Sequence, residues 1–494
     1  MAQLDSIIKK LENCMRYDTG VTEHTARITQ ISWILFLRIY DAKEKEWEIR
    51  DDNYVSIIPD KYKWRSWAKD DKSGKALTGD DLLEFVNKDL FPGLASIPID
   101  KDTPLRQAIL VEAFQGLKNN MVNGIELRKV INIIDGIDFN KSDDRHYFND
   151  IYQNLIEKMR SQKSSGEYYT PRAVTNFIVD TVNPRLGERV ADFACGTGGF
   201  LSSTLVHLEK QKKSTEDLKK FGDSIYGTEL MTMPYILSVT NMILHDVDNP
   251  RIHHGDSLMK NVYDYKEEDK FEVILMNPPF GGTLPEGCKG NFPMELQSGE
   301  TSDLFVILIM YRLKKNGRAA VILPPGFLFA TEGAPMRIKK ELMSKFNLHT
   351  IIRLPKDVFQ PYTTTQTNIL FFDNTGPTKE TWIYRMDYPE GYKHFSKTKP
   401  ITNEHLDVVR SWLSDKKEIY EPETETYKAK CFTLKEISAA DYDLDLCGFP
   451  QEIIEILPPD EVIKNYREER NALTAKIDSV LNEIESILDG AKNA

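Results

Sequence analysis

Apolar positions near the start of the chain recur at helical spacing: Leu4, Ile7, Ile8 and Leu11 share one helix face, and Ile31 to Tyr40 forms a second apolar stretch. The pattern predicts an all-helical N-terminal domain. Turn-forming and charged residues at Lys141–Arg145 and Ser161–Gly166 mark a boundary near residues 150–165. Beyond it the texture changes to short apolar runs separated by helical segments: Arg189–Phe193, Ser224–Gly227, Phe271–Met276, Ala319–Leu323, Thr350–Arg353 and Asn368–Phe372. Runs of that length alternating with helices predict an α/β domain with a mostly parallel sheet. After Pro458-Pro459 the pattern is helical again, and Leu473, Ile477, Val480, Ile484 and Ile487 step by alternating fours and threes, the spacing of an a/d seam. That seam either packs on its own chain or meets another subunit. The division expected is 1–155 (helical domain), 156–375 (α/β domain), 376–458 (mixed extension) and 459–494 (long helix).

A chain of 494 residues exceeds the length at which one core usually keeps growing, in keeping with several domains. Hydrophobic residues at 40% and charged residues at 28% predict a folded globular protein. Neither a membrane-length apolar run nor a secretory leader is visible, so a cytoplasmic protein without a membrane partner is expected. The five cysteines are scattered, with no C-x-x-C pair or zinc spacing, so neither disulfide nor metal is expected. The formal charge of −12 is the wrong sign for a chain that holds DNA alone through phosphate neutralisation.

Residues 190–201, VADFACGTGGFL, read as strand, Asp192, a turn containing Gly196, Thr197, Gly198 and Gly199, then a helix start. Glycines there permit a sharp turn and close approach of a ligand to main-chain N–H groups. The next strand ends in Glu229, where a carboxylate can accept from both ribose hydroxyls. The separation is about 30 residues rather than about 20, and the charged insert 211–220 accounts for the excess. No Lys-Ser/Thr pair follows the glycines, so the expected ligand bears adenosine but no triphosphate. Asp256, in His254-Gly255-Asp256-Ser257-Leu258, is placed to accept from an adenine amino group. The same letters resemble a serine-esterase block, but no matching His/Asp pair accompanies Ser257.

The run Phe271–Met276 ends in Asn277-Pro278-Pro279-Phe280. Prolines cannot continue a ladder, so the block must leave the sheet at its carboxyl edge, where open α/β sheets bind ligands. The Asn277 side-chain oxygen and a proline carbonyl can accept the two N–H bonds of an exocyclic amine, freeing a lone pair otherwise delocalised into the ring. Phe280 offers a stacking face for a base flipped out of a duplex. The plainer reading of the tetrapeptide is a rigid strand-terminating turn with a core phenylalanine.

Taken in order, GEYYTPRAV (166–174), DFACGTGGFL (192–201), Glu229 and NPPFGG (277–282) resemble the adenine-methylating modification subunits of type I restriction-modification systems. The resemblance covers most of the chain. It implies a Rossmann-like class I methyltransferase domain between the helical domain and the helical tail, with S-adenosylmethionine as cofactor. It implies a cofactor site of Glu167, Tyr168, Tyr169, Thr170, Pro171, Arg172, Thr197, Gly198, Gly199 and Glu229, and catalysis by Asn277 with Pro278, Pro279 and Phe280. Read from the residues alone, Thr170-Pro171 is a good helix start, cap followed by proline. The family also implies DNA as substrate, a specificity subunit that reads sequence, two modification subunits per specificity subunit, a tail that contacts that subunit, and a separate motor and restriction subunit. Cys195 is read as packing, not as a nucleophile. Asn-Pro-Pro followed by an aromatic also serves methylation of RNA bases and of protein glutamine, and a catalytically weak scaffold is a further alternative. Cleavage by this chain has no Walker A sequence or nuclease cluster behind it.

Overall fold

The N-terminal periodicity becomes helix at Ala2–Arg16, His24–Arg50, Leu105–Gln115 and Gly124–Asp135. Asn123 caps the last of these, its side chain accepting from the N–H groups of Ile125 and Glu126. Aromatic rings fill the space between the helices: Phe91 meets Trp33 and Phe114 edge-to-face, each at 5.0 Å between centroids. This computed structural model describes residues 2–70, 76–137, 169–281, 284, 287–360, 363–448 and 459–492. Residues 1–389 and 394–450 make one compact unit, and residues 390–393 and 451–494 make another.

Ten strands form one sheet in the order β3-β2-β1-β4-β5-β7-β6-β8-β10-β9. They are β1 (Val190–Asp192), β2 (Ile225–Glu229), β3 (Arg251–His254), β4 (Phe271–Met276), β5 (Leu313–Leu323), β6 (Asn347–Arg353), β7 (Asn368–Asp373), β8 (Glu380–Arg385), β9 (Ile419–Glu421) and β10 (Thr426–Thr433). β7 runs antiparallel to β5 and β6, and β10 antiparallel to β8 and β9, while the remaining pairs are parallel.

All six apolar runs of the α/β segment are strands. β3 and β8 to β10 carry no such run, because their charged and polar residues interrupt it. Residues 376–458, set apart by composition, contribute β8, β9 and β10 to this same sheet, with Ile383 of β8 in register with Ile351 of β6. The sheet is the Rossmann-like α/β class expected. Helices cover both faces: Phe371 of β7 packs edge-to-face on Phe177 of helix Arg172–Val182, whereas its neighbours Leu370 and Phe372 join the core cluster of helix Thr301–Arg312.

The helical domain is tied to helix Thr232–Leu244. Tyr235 donates its hydroxyl to Glu112 (3.0 Å), Lys43 pairs with Asp246 (2.6 Å), and a Cβ on Gly116 would fall 2.7 Å from the Thr232 hydroxyl. The second unit contains helix Pro459–Lys492, on which Leu473, Ile477 and Val480 are exposed. The side chains of Ile484 and Ile487, also read into the seam, lie outside the described residues. Among the described residues, no helix is long and apolar enough to cross a membrane.

Phe177 is fully buried and holds helix Arg172–Val182, and with it the segment that precedes it, against the sheet. Phe177→Ala is expected to destabilise the chain by about 3–5 kcal/mol, read as a lower denaturant midpoint in urea unfolding.

Candidate active site

The strand order reverses beside β1: β2 and β3 lie on one side, β4 and β5 on the other. Crossovers leaving such a point diverge, opening a crevice outside the carboxyl ends of the strands. β1 and β4 are in register through Val190–Val273 and Ala191–Ile274, and β1 and β2 through Asp192–Gly227, so the three strands end within two residues of one another. The glycine loop leaves β1, Glu229 closes β2 and Asn277 follows β4. Two strand spacings, about 10 Å, separate the ends of β2 and β4, with the glycine loop between them.

The loop is held from beneath. Cys195 N–H donates to the Thr228 carbonyl (3.0 Å), and Gly198 N–H to the Cys195 carbonyl (2.8 Å). Gly196 and Gly198 have φ of +53° and +78°, which a side chain would strain. A Cβ on Gly198 would also come within 2.9 Å of the Ser238 hydroxyl, whereas one on Gly196 would meet nothing within 4 Å. Gly196 therefore presents its backbone to open space.

Glu229 is buried, and each oxygen accepts a main-chain N–H: Oε2 from Gly196 and Oε1 from Met231, both at 2.8 Å. The first bond ties the carboxylate to the glycine loop and the second to the turn after β2, and both oxygens keep a further lone pair. Burial raises its pKa, against which the two N–H groups act.

Asp192 lies under the loop, 2% exposed, its Oδ1 accepting from Ala194 N–H (3.1 Å). Burial pushes its carboxyl up to about 8, with the nearby Glu229 adding to the effect. Burial likewise drives the Cys195 thiol well above its ordinary range, which leaves it without thiolate character. The loop after β3 is sewn to the loop after β1, since Ser257 Oγ donates to the Phe193 carbonyl (2.7 Å). Asp256 is half-buried beside it, its Oδ1 accepting from Leu258 N–H (2.9 Å).

Thr170, Asn277 and Arg172 sit differently from any reading of their spacing. Helix Arg172–Val182 begins one residue later than expected, with Pro171 rather than Thr170 at the cap position and no side-chain cap. The N–H groups of Val174 and Thr175 donate to the Pro171 carbonyl instead (2.9 and 3.0 Å). The Thr170 hydroxyl is thereby free to accept from Asn277 Nδ2 at 2.9 Å. Asn277 Oδ1 is buried with no hydrogen-bond partner. Arg172 turns its guanidinium to the Gly199 carbonyl (3.2 Å) and to the Ser202 hydroxyl, joining its helix to the one that follows the glycine loop. Tyr169 packs against Leu237, and the Thr197 carbonyl accepts from Asn241 (3.2 Å). Pro278 is buried, and Pro279 and Phe280 are half-buried, on the turn after Asn277. Glu167 and Tyr168 lie outside the described residues.

One contact here has no sequence signature. His254 stacks on Tyr235 at 4.8 Å, and its Nε2 lies 3.1 Å from the Leu230 carbonyl, next to Glu229.

A reversed α/β sheet that gathers a glycine loop, a locked carboxylate and an unpartnered asparagine oxygen at one edge defines a Rossmann-like methyltransferase. The family model described as N-6 DNA Methylase matches residues 143–453, and that of the HsdM N-terminal domain matches residues 4–134. The methylase subunit of the type I restriction enzyme EcoEI from Escherichia coli is 43% identical over 99% of this chain and 98% of its own length. A modification subunit of a putative type I restriction enzyme from Vibrio vulnificus YJ016 superposes with a TM-score of 0.77 at 39% identity, covering 88% of this chain and 93% of that one. A chain from structural work on complex assembly and conformational transition of the type I R-M system gives 0.79 at 32% identity, covering 98% of each. The chain belongs to the N6-adenine DNA methylases, among the methylase subunits of type I restriction-modification systems.

The buried Asp192 gives stability a pH dependence. Unfolded, the carboxyl ionises above about 4, whereas folded it keeps its proton up to about 8. Its contribution is therefore greatest in acid and is lost as pH rises towards the folded value. Asp192→Asn, which can keep the bond from Ala194, is expected to flatten the fall of Tm between pH about 4 and about 8, measured by calorimetry without ligand.

Proposed function

We propose that this chain methylates N6 of an adenine flipped out of DNA, using S-adenosylmethionine, and that Asn277 is the principal acceptor of the amine. The observation that carries the reading is the buried, partnerless Asn277 Oδ1 at the carboxyl end of β4, beside the glycine loop. A buried acceptor without a donor costs about 1–3 kcal/mol, which a ligand N–H at that position would recover.

The residues present fit the cofactor. Glu229 accepts from the ribose hydroxyls, Gly196 lets the ligand approach main chain, and Asp256 accepts from its adenine amino group. The sulfonium supplies a methyl group that is already electrophilic. Asn277 Oδ1 accepts one N–H of the target amine and a carbonyl of the Pro278-Pro279 turn accepts the other. Held by these two acceptors, the amine nitrogen would be drawn towards tetrahedral geometry with its lone pair released from the ring, and positioning would provide most of the remaining rate. Phe280 stacks on the flipped base, worth about 1–3 kcal/mol by analogy with single-strand binding. No covalent enzyme intermediate is required.

The formal charge of −12 supports a division of labour in which a specificity subunit supplies much of the grip on DNA. Two copies of this chain flank one such subunit, contacting it through the apolar face of helix Pro459–Lys492, and cleavage belongs to a separate motor subunit. The complex works in the cytoplasm.

Transfer of labelled methyl groups to unmethylated DNA, with and without a specificity subunit, tests the reading. N6-methyladenine is expected in the nucleoside digest only with the partner; label on cytosine, RNA or protein would overturn it. Asn277→Ala is expected to abolish transfer with cofactor affinity nearly intact, whereas Glu229→Ala should weaken cofactor binding at least tenfold, roughly the loss of one charge-assisted hydrogen bond. Equal loss of affinity in both variants would sink the separation of roles.

A further inference from the structure

We propose that Thr170 is a positioning residue for the methyl acceptor: its hydroxyl fixes which end of the Asn277 amide faces the incoming amine. The inference rests on the assignment of Asn277 made above. It departs from a purely cofactor-binding role for Thr170, which sequence similarity alone suggests.

An asparagine amide has two ends of nearly equal size and opposite polarity. With Oδ1 towards the base, an adenine N–H finds an acceptor. Turned over, Nδ2 would set its own N–H donors against those of the amine, without any change in shape. In the structure Nδ2 points at Thr170 Oγ1, 2.9 Å away, and Oδ1 has no partner. The threonine hydroxyl thus satisfies the end of the amide that must not face the base.

The hydroxyl is held in place from both sides. Thr170 is 8% exposed, so water does not replace it easily. On one side Tyr169 packs on Leu237. On the other, Pro171 has φ of −55° and its carbonyl takes two helix N–H groups, which fixes the chain direction at Thr170. Arg172 then anchors the helix start to Gly199. Because the hydroxyl is not used as a helix cap, nothing in the helix competes for it.

Removing the hydroxyl leaves Nδ2 buried and unsatisfied whenever the amide is turned the productive way. At the usual cost of an unmet buried donor, this lowers the transfer rate by about 10- to 100-fold. The contact is to the acceptor side, so affinity for the cofactor should stay within about twofold.

The test uses the chain assembled with its specificity subunit and measures single-turnover methyl transfer to DNA at saturating S-adenosylmethionine, alongside the dissociation constant for the cofactor. Thr170→Val, of nearly the same shape, is expected to show the rate loss with cofactor affinity kept, and Thr170→Ser to restore the rate. Thr170→Ala serves in place of valine if that variant does not assemble. Loss of cofactor affinity with an undiminished saturated rate would overturn the proposal. So would equal slowing by valine and serine, which would indicate packing. Asn277→Ala, measured in parallel, separates the two levels: if it retains transfer, the assignment of Asn277 fails; if it abolishes transfer while Thr170→Val is as fast as the parent, only the role of Thr170 fails.

Discussion

Parallel strands whose connections leave in opposite directions cannot cover their own carboxyl ends, and the site depends on that constraint. At β1 the sheet order turns from β2 and β3 to β4 and β5. The three central strands end in glycines after β1, in Glu229 on β2 and in prolines after β4, and of these the prolines cannot donate to a ladder. Backbone N–H groups there are met by a side chain, as when the Glu229 carboxylate accepts from Gly196 and Met231. A ligand entering the crevice meets polar groups already oriented, so little order remains to be imposed on binding.

Orientation is passed outward from this edge through polar side chains between packed elements. Arg172 joins the helix before β1 to the helix after it, and Ser257 joins the loop after β3 to that after β1. Tyr235 connects the site to the N-terminal helices, stacking on His254 on one side and donating to Glu112 on the other. The helical domain thus touches the helix that follows Glu229. The N-terminal helices have a physical connection, through Tyr235 and His254, to the carboxyl edge of the sheet.

Much of this was legible in the chain alone. The runs of β1 and β4 are short and apolar because both faces of a central parallel strand are covered, and the glycines or prolines that follow mark where each must stop. Glu229 and Asn277 could be placed at the same edge by their position after such runs. Strands nearer the margins were less visible. In β3, Arg251–His254, and in β10, Thr426–Thr433, polar residues occupy faces that need no apolar cover, so neither stretch reads as a run and the segment 376–458 looked separate from the sheet it extends. β5 was read as five residues and has eleven, because Lys314, Lys315 and Asn316 break the apolar pattern at its start.

The sequence by itself determined the class of fold and the places of the glycine loop, Glu229 and Asn277 in it, because each is written in consecutive residues whose backbone demands are local. Only the tertiary structure decided the partners of individual polar atoms. Thr170 and Asn277 are 107 residues apart, and nothing in the spacing of either indicates the other. Thr170-Pro171 satisfies the local rules for a helix cap, yet Pro171 takes the cap position and the hydroxyl turns to Asn277. A local propensity of about 1 kcal/mol yields readily to a buried amide that needs an acceptor, and that need exists only once helix and strand have been brought together.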